Sequence, residues 1–285
     1  MFPLHQANSS HRLNTPPTED VRRFGVVVAV KNIGRELITS DDIAPFEDQV
    51  AMSTAVLQSL LSRLEAIFKE ENTPGPSDQR VRECLLASSK PSSLVALLGL
   101  LPSDAAIDFA KAHENGFFRF DLHEPHSRAF RLRLHLWTEL SRVPSNDVHN
   151  HTRDYWSVVL LGGLRVTQFE RQARGRHRFF HYLASNESAD GAYSFLSSSE
   201  ISLRETISAD VQSGEVHAQA CHQLHQVAPL VVPTATLFLQ GPERSTVTDV
   251  FSSRPKPPTP VKCRPLTSSD RESILQALDS LMGER

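Results

Sequence analysis

Apolar and polar positions along this chain follow two different periods, and the change falls near Gly116. Upstream, Met52, Val56, Leu60, Leu64 and Ile67 recur in steps of four and three, one apolar stripe on a helix that begins near Asp48. Three further helical segments are expected around 79–88, 92–101 and 102–113, the last capped by Ser103 or Asp104. The Pro- and Gly-bearing "ENTPGPSD" (71–78) is a loop, and "RFGVVVAVKNI" (23–33) reads as a short valine-rich strand. Residues 1–22 are polar, proline-bearing and aperiodic, as in a mobile arm, so 23–115 forms a mainly helical N-terminal region.

Downstream the period is two. In "FRLRLHLW" (130–137), Leu132, Leu134 and Leu136 alternate with Arg131, Arg133, His135 and Trp137, the pattern of a strand with one buried face. Strands are expected again at 147–161, 164–170, 178–183, 201–207, 214–220, 224–227 and 234–240, with Gly162–Gly163 as a corner turn. Short strands at this spacing imply a sandwich or barrel over 116–250. A proline-rich linker (251–267) and a C-terminal helix (268–285) follow, with Ser269, Asp270 and Glu272 at the helix start.

Composition narrows the function classes. Apolar residues make up 39% and charged residues 22%, as in a soluble globular protein. The net charge of −3 and the lack of a basic cluster interleaved with aromatics argue against nucleic acid or an anionic membrane as partner. The basic "RQARGRHR" (171–178) reads as a solvated hairpin loop. The longest apolar run, "SLVALLGLL" (93–101), is far shorter than the ~20 residues of a membrane span. No signal-like stretch opens the sequence, so a cytoplasmic protein is expected. Cys84, Cys221 and Cys263 are odd in number and far apart, which argues against a disulfide framework and a cysteine-rich zinc site.

Thirteen histidines make imidazole the chemistry to examine. In "DVHNHTRDYWSVVLLGGL" (147–164), His149 and His151 stand two apart, so on a strand they project from one face. Neutral nitrogens converging from a rigid support are what a metal ion needs. "GEVHAQACHQLHQV" (214–227) supplies a second histidine-bearing strand. His222 and His225 would face opposite ways there, so at most one can join the pair without a turn between them. His217 shares the parity of His225 and is either an acid/base or hydrogen-bonding group in a pocket, or a satisfied core histidine. "HEPH" (123–126) is denied a helix by Pro125 and reads as a surface loop. Tyr155 and Trp156 leave opposite faces of their strand.

The pattern "VHNH…GGL…LHQV" resembles the cupins, double-stranded β-helix (jelly-roll) barrels, and is most similar to their cysteine-dioxygenase-like (thiol dioxygenase) branch. The fold this implies is mainly β, a cupin barrel preceded by a helical region and followed by a short helix. The resemblance spans 116–242 and implies His149, His151 and His225 as metal ligands, with Fe(II) expected and Mn, Ni, Cu or Zn compatible by geometry. The glutamate that many cupins carry four or five residues after the second histidine is replaced by Tyr155 or Trp156. The family's tyrosine ahead of the third ligand is His217, and a later histidine is Phe238, which points away from cysteine itself as substrate.

The function so implied is a mononuclear non-haem dioxygenase acting on a small polar molecule, such as a thiol, amino acid or natural-product intermediate, with dioxygen as co-substrate. His217 and Tyr155 would serve catalysis. Arg119 in "FFRFDL", with Arg131 and Arg133 as rivals, would pair with a substrate carboxylate, and Trp156 and Phe238 would wall the pocket. Two alternatives stand beside it: a metal-dependent hydrolase, isomerase or decarboxylase on the same barrel, and a non-catalytic small-ligand-binding cupin. The N-terminal helices carry no part of the resemblance and are expected to pack on the barrel or form a homodimer contact.

Overall fold

A computed structural model describes residues 46–70, 78–89, 97, 110–123, 129–141, 147–173, 178–185, 194–255 and 263–283. The arm over 1–22, the strand at 23–33 and nearly all of the helices expected at 92–101 and 102–113 lie outside those residues. Two helices open the described chain, α1 (Phe46–Glu70) and α2 (Asp78–Ser88). Thirteen strands follow: β1 (Lys111–His113), β2 (Phe117–His123), β3 (Arg131–Trp137), β4 (Val148–His149), β5 (Arg153–Leu161), β6 (Gly163–Gln172), β7 (Arg178–Ser185), β8 (Ser194–Gln212), β9 (Val216–Gln219), β10 (Leu224–Pro229), β11 (Thr234–Glu243), β12 (Val247–Ser252) and β13 (Cys263–Pro265). Helix α3 (Ser268–Gly283) closes the chain.

The strands form two antiparallel sheets. Sheet A runs β13-β1-β2-β3-β11-β5-β9, and sheet B closes on itself in the order β10-β4-β12-β7-β8-β6. The alternation in β3 explains how they stack. Leu132, Leu134 and Leu136 are fully buried in one cluster with Leu60, Leu64 and Ile67 of α1, Val81 and Leu85 of α2 and Ile274 and Leu278 of α3, so the helices cover one face of sheet A. Leu60, Leu64 and Ile67 of the apolar stripe read in α1 make this contact. The other face of β3 turns to sheet B, where Trp137 packs with Leu164, Val166 and Val211. That inner face also carries Arg131, Arg133 and His135, and it is where polar chemistry gathers.

The corner between β5 and β6 requires glycine twice over. Gly162 lies at φ +73°, and a Cβ there would meet the Thr234 hydroxyl at 2.2 Å and the Pro233 carbonyl oxygen at 2.9 Å.

Several expected boundaries move. The strand expected at 147–161 is two, broken at Asn150–Thr152. The strand at 201–207 is the middle of the 19-residue β8, whose length follows from pairing with both β6 and β7. Lys111–His113 is a strand and not helix, because its backbone is paired on both sides, with β2 and β13. Cys263–Pro265, inside the expected linker, is that pairing partner. Helix α2 starts at Asp78, the last residue of the expected loop.

The start of α3 is a capping box two residues before the Ser269 that the sequence suggested. Thr267 is the N-cap: the Asp270 backbone N–H donates to Thr267 Oγ1 at 3.2 Å, and the Thr267 N–H donates back to Asp270 Oδ2 at 2.7 Å. The Arg264 guanidinium on the same carboxylate, helped by Thr267, outweighs burial and holds the Asp270 pKa at about 2. Asp270→Ala is therefore expected to cost about 1–2 kcal/mol at neutral pH. Because the folded pKa is depressed, the contribution is complete above the ordinary carboxylate range and is lost as pH falls through about 2. Urea unfolding of the variant at pH 7 checks it. None of the described helices is long and apolar enough to cross a membrane.

Candidate metal centre

His149, His151 and His225 converge. One ligating nitrogen from each lies within 4.8 Å of the others, the one such group of three or more histidine, cysteine or acidic side chains among the described residues. The convergence does not come from a single strand. His149 ends the two-residue β4, directly across from His225 of β10, while His151 sits in the break before β5. Backbone hydrogen bonds pin that break at three consecutive residues. Asn150 N–H donates to the Asp249 carbonyl, His151 N–H to the Cys221 carbonyl, and the Thr152 carbonyl accepts from Arg244 and Ser245. Fixed φ/ψ values, in place of strand alternation, aim His151 inward.

The protonation states suit a cation. His149 Nδ1 lies 2.9 Å from the Asp147 carbonyl oxygen, which can only accept, so Nδ1 carries the proton and Nε2 presents its lone pair. His151 Nε2 and His225 Nε2 are 3.3 Å apart. Burial, then the neighbouring His149 and His217, hold the His225 pKa well below its ordinary value, so this 2% exposed imidazole is neutral. Three imidazole nitrogens brought this close fit a metal that prefers nitrogen donors. Asp154 is turned elsewhere: it accepts the Cys221 N–H at 2.8 Å and pairs with Arg244. His222 is exposed in the turn before β10, and that turn is why it and His225 diverge.

Tyr155 joins the triad to the inner face of sheet A. Its ring lies against His151, His225 and Phe238 at centroid distances of 4.8, 5.5 and 4.9 Å. Its hydroxyl donates to Gln219 Oε1 at 2.7 Å, and His217 Nε2 lies 3.2 Å from the hydroxyl and 3.1 Å from the same amide oxygen. The amide oxygen only accepts, so an Nε2–H on His217 satisfies both of its contacts. Burial raises the Tyr155 pKa and keeps the phenol neutral. Burial lowers that of His217, which Gln219 opposes and Arg82 reinforces. Phe238 stacks on His135 at 4.7 Å and reaches His151 at 5.9 Å.

The arginines lie further along this face. Arg133, across from Phe238 in the β3–β11 register, donates to Asp121 and to Gln240, each at 2.9 Å. Arg119 donates to the other Asp121 oxygen at 2.9 Å. Arg131 shares the parity of Arg133 and is partly buried. Trp156 is a correction. It leaves the opposite face of β5, packs in the helix-covered core and donates its indole N–H to Asp78 of α2 at 2.6 Å, so it walls no pocket at the histidines.

The sequence thus brings together His149, His151, His225, Tyr155, His217 and Phe238. It did not point to Gln219, Asp121 or Asp249. Gln219 had a signal, being two residues after His217 on the same face. Asp249 had none, since it meets Asn150 across 99 positions.

No family model and no curated protein matches this chain. Solved structures share parts of its course. The hydroquinone 1,2-dioxygenase PnpCD, in complex with Cd2+ and 4-hydroxybenzonitrile, is similar at 8% identity and TM-score 0.28 over 42% of this chain, which spans 61% of that one. A structure of the DMSP lyases RdDddP and RnDddQII gives 14% identity and TM-score 0.32 over 66% of this chain and 93% of that one. Streptomyces albus HEPD, with 2-hydroxyethylphosphonate and Fe(II) bound, gives 11% and 0.30 over 70% and 43%. Likenesses of this size assign neither a family nor an activity.

Proposed function

We propose that this chain is a cupin-type, three-histidine metalloenzyme: an Fe(II)-dependent oxygenase that oxidises a small polar molecule such as a thiol, an amino acid or a natural-product intermediate. The observation that carries the reading is the donor set, three imidazole nitrogens within 4.8 Å of one another with no carboxylate among them. Such a set suits iron, and manganese, nickel, copper or zinc by the same geometry. When bound, any of these ions would supply Lewis-acid chemistry, and iron, manganese or copper redox chemistry as well, at the coordination positions that three ligands leave free.

The chain's own residues supply the rest. His217 Nε2–H, 3.2 Å from the Tyr155 hydroxyl, is placed to donate to that oxygen and would return a proton to it after the phenol gives up its own. The neutral phenol lies against His151 and His225, and with Phe238 it forms an aromatic wall on one side of the triad. Arg133, one strand from Phe238, with Arg119 and Arg131 on the same face, would orient an anionic group of the substrate, and Asp121 fixes the first two in place. One observation favours a second reading, a metal-dependent hydrolase, isomerase or decarboxylase. The Tyr155–His217 pair is acid–base equipment that such reactions use without oxygen.

The test is metal content by plasma mass spectrometry on protein purified without a histidine tag, followed by oxygen uptake with a panel of thiols and amino acids. Near-stoichiometric iron with substrate-dependent oxygen uptake is expected. Turnover that persists anaerobically would move the assignment to the second reading. Protein that retains no metal after loading with Fe(II) or Zn(II) would overturn both.

A further inference from the structure

We infer that Asn150, the residue between His149 and His151, is a positioning residue that holds the metal-binding geometry through Asp249; this rests on the metalloenzyme reading above. Strand β4 is only Val148–His149, and its ladder with β12 runs Phe251↔Val148 and Val250↔His149 and then stops. Asn150 carries the connection one residue further by three hydrogen bonds to a single partner. Its N–H donates to the Asp249 carbonyl at 3.1 Å, its side-chain Nδ2 to Asp249 Oδ2 at 2.9 Å, and the Asp249 N–H donates to Asn150 Oδ1 at 2.7 Å. Asn150 thereby uses side-chain donor and acceptor together, as a backbone residue would in a strand.

Asp249 is itself held from the far side. Its Oδ1 accepts from His181 Nε2 at 2.7 Å and from Arg171 Nη2 at 2.5 Å. The His181 ring is stacked on Phe251 at 4.5 Å, and the Arg171 guanidinium lies over the same Phe251 ring at 5.3 Å. Phe251 is fully buried. The chain of contacts runs from a buried aromatic ring, through His181 and Arg171, to the Asp249 carboxylate and then to the amide of Asn150. It ends at the backbone that flanks both His149 and His151. The relative placement of these two imidazoles depends on the φ and ψ of Asn150, and the hydrogen bonds to Asp249 fix them. Asn150 and Asp249 spend their side-chain hydrogen bonds on each other and on His181 and Arg171, so they act on the ligands through placement.

The experiment measures Co(II) affinity by competition, with the visible absorption of the Co(II) protein, for the wild type, Asn150→Leu, Asn150→Asp, and Asn150→Asp combined with Asp249→Asn. Asp270→Ala serves as a comparator destabilised at a remote helix. Asn150→Leu is expected to bind Co(II) about 10- to 100-fold more weakly with an altered spectrum. Asp270→Ala is expected to keep wild-type affinity and spectrum. Asn150→Asp alone sets two carboxylates against each other and should bind as weakly. The combined exchange restores one donor facing one acceptor and should recover most of the affinity, which a general loss of stability would not do. An Asn150→Leu protein with wild-type affinity and spectrum would overturn this inference and leave the metal-site reading standing. Wild-type protein that binds no Co(II) would overturn both.

Discussion

His225→Ala is expected to abolish metal retention while leaving the protein folded. His225 is the most buried of the three imidazoles, 2% exposed, and it faces both others: His151 through paired Nε2 atoms 3.3 Å apart and His149 directly across the β10–β4 register. Truncation removes one of three nitrogens and the member that links the other two, so affinity should fall by more than about 100-fold, the upper end for losing a mere supporting partner. The metal-free variant should unfold close to the metal-free wild type, because the two imidazoles that remain are only partly buried and lose no hydrogen-bond partner they require. A ligand that binds only the native state raises stability in proportion to ln(1 + [L]/Kd). Metal should therefore raise the wild-type melting temperature and leave that of the variant unchanged. His222→Ala, three residues earlier but exposed in a turn, should behave as wild type. Wild-type metal content in His225→Ala would show that the ligands lie elsewhere.

Asp121→Ala should be the most destabilising single change on the inner face of sheet A. The carboxylate accepts from Arg119 and Arg133, both at 2.9 Å, and the three side chains are 20%, 14% and 13% exposed. Burial alone would raise the Asp121 pKa; the two guanidiniums outweigh it and hold the pKa below the ordinary carboxylate value. Alanine would leave two largely buried cations facing each other across the vacated site, at a cost of about 3 kcal/mol, the lower end for breaking a buried pair. The sign of the pH dependence follows from the depressed pKa. The contribution is present above the unfolded carboxylate pKa and disappears as pH falls through the lower folded value. Urea unfolding at pH 7 and again near the folded pKa checks this, and the gap between wild type and variant should narrow on acidification. An unchanged gap would mean that the ionised carboxylate is not what holds the arginines.

Much of this molecule was legible where one physical rule governs. The α1 stripe and the Leu132–Leu134–Leu136 alternation are burial periods, and burial shaped both elements as read. The proximity of the three histidines was legible from the pair two residues apart together with the resemblance of "LHQV" to the cupin pattern, which implied His225 as the third. The reason given for the first pair was incomplete, since alternation along one strand does not apply across the break at Asn150–Thr152. What escaped was set by long-range pairing. Val247–Ser252 and Cys263–Pro265 are strands because β4, β7 and β1 need partners, and no local pattern announces that. Trp156 illustrates the same limit. Strand parity put Tyr155 and Trp156 on opposite faces, but only the position of α2 decides which face is the core.

The seam of sheet B has a consequence for assembly. Five of the six junctions in that closed sheet are ladders of two or more residue pairs, whereas β10 meets β4 at the single rung His225↔His149. That single rung is made of two prospective ligands, with the third, His151, two residues further along the chain. No partly folded form in which that seam gapes can offer all three nitrogens at once. On the metal-centre reading, an ion held by all three would tie β4 to β10 across this rung, so that binding would be coupled to closure of the seam.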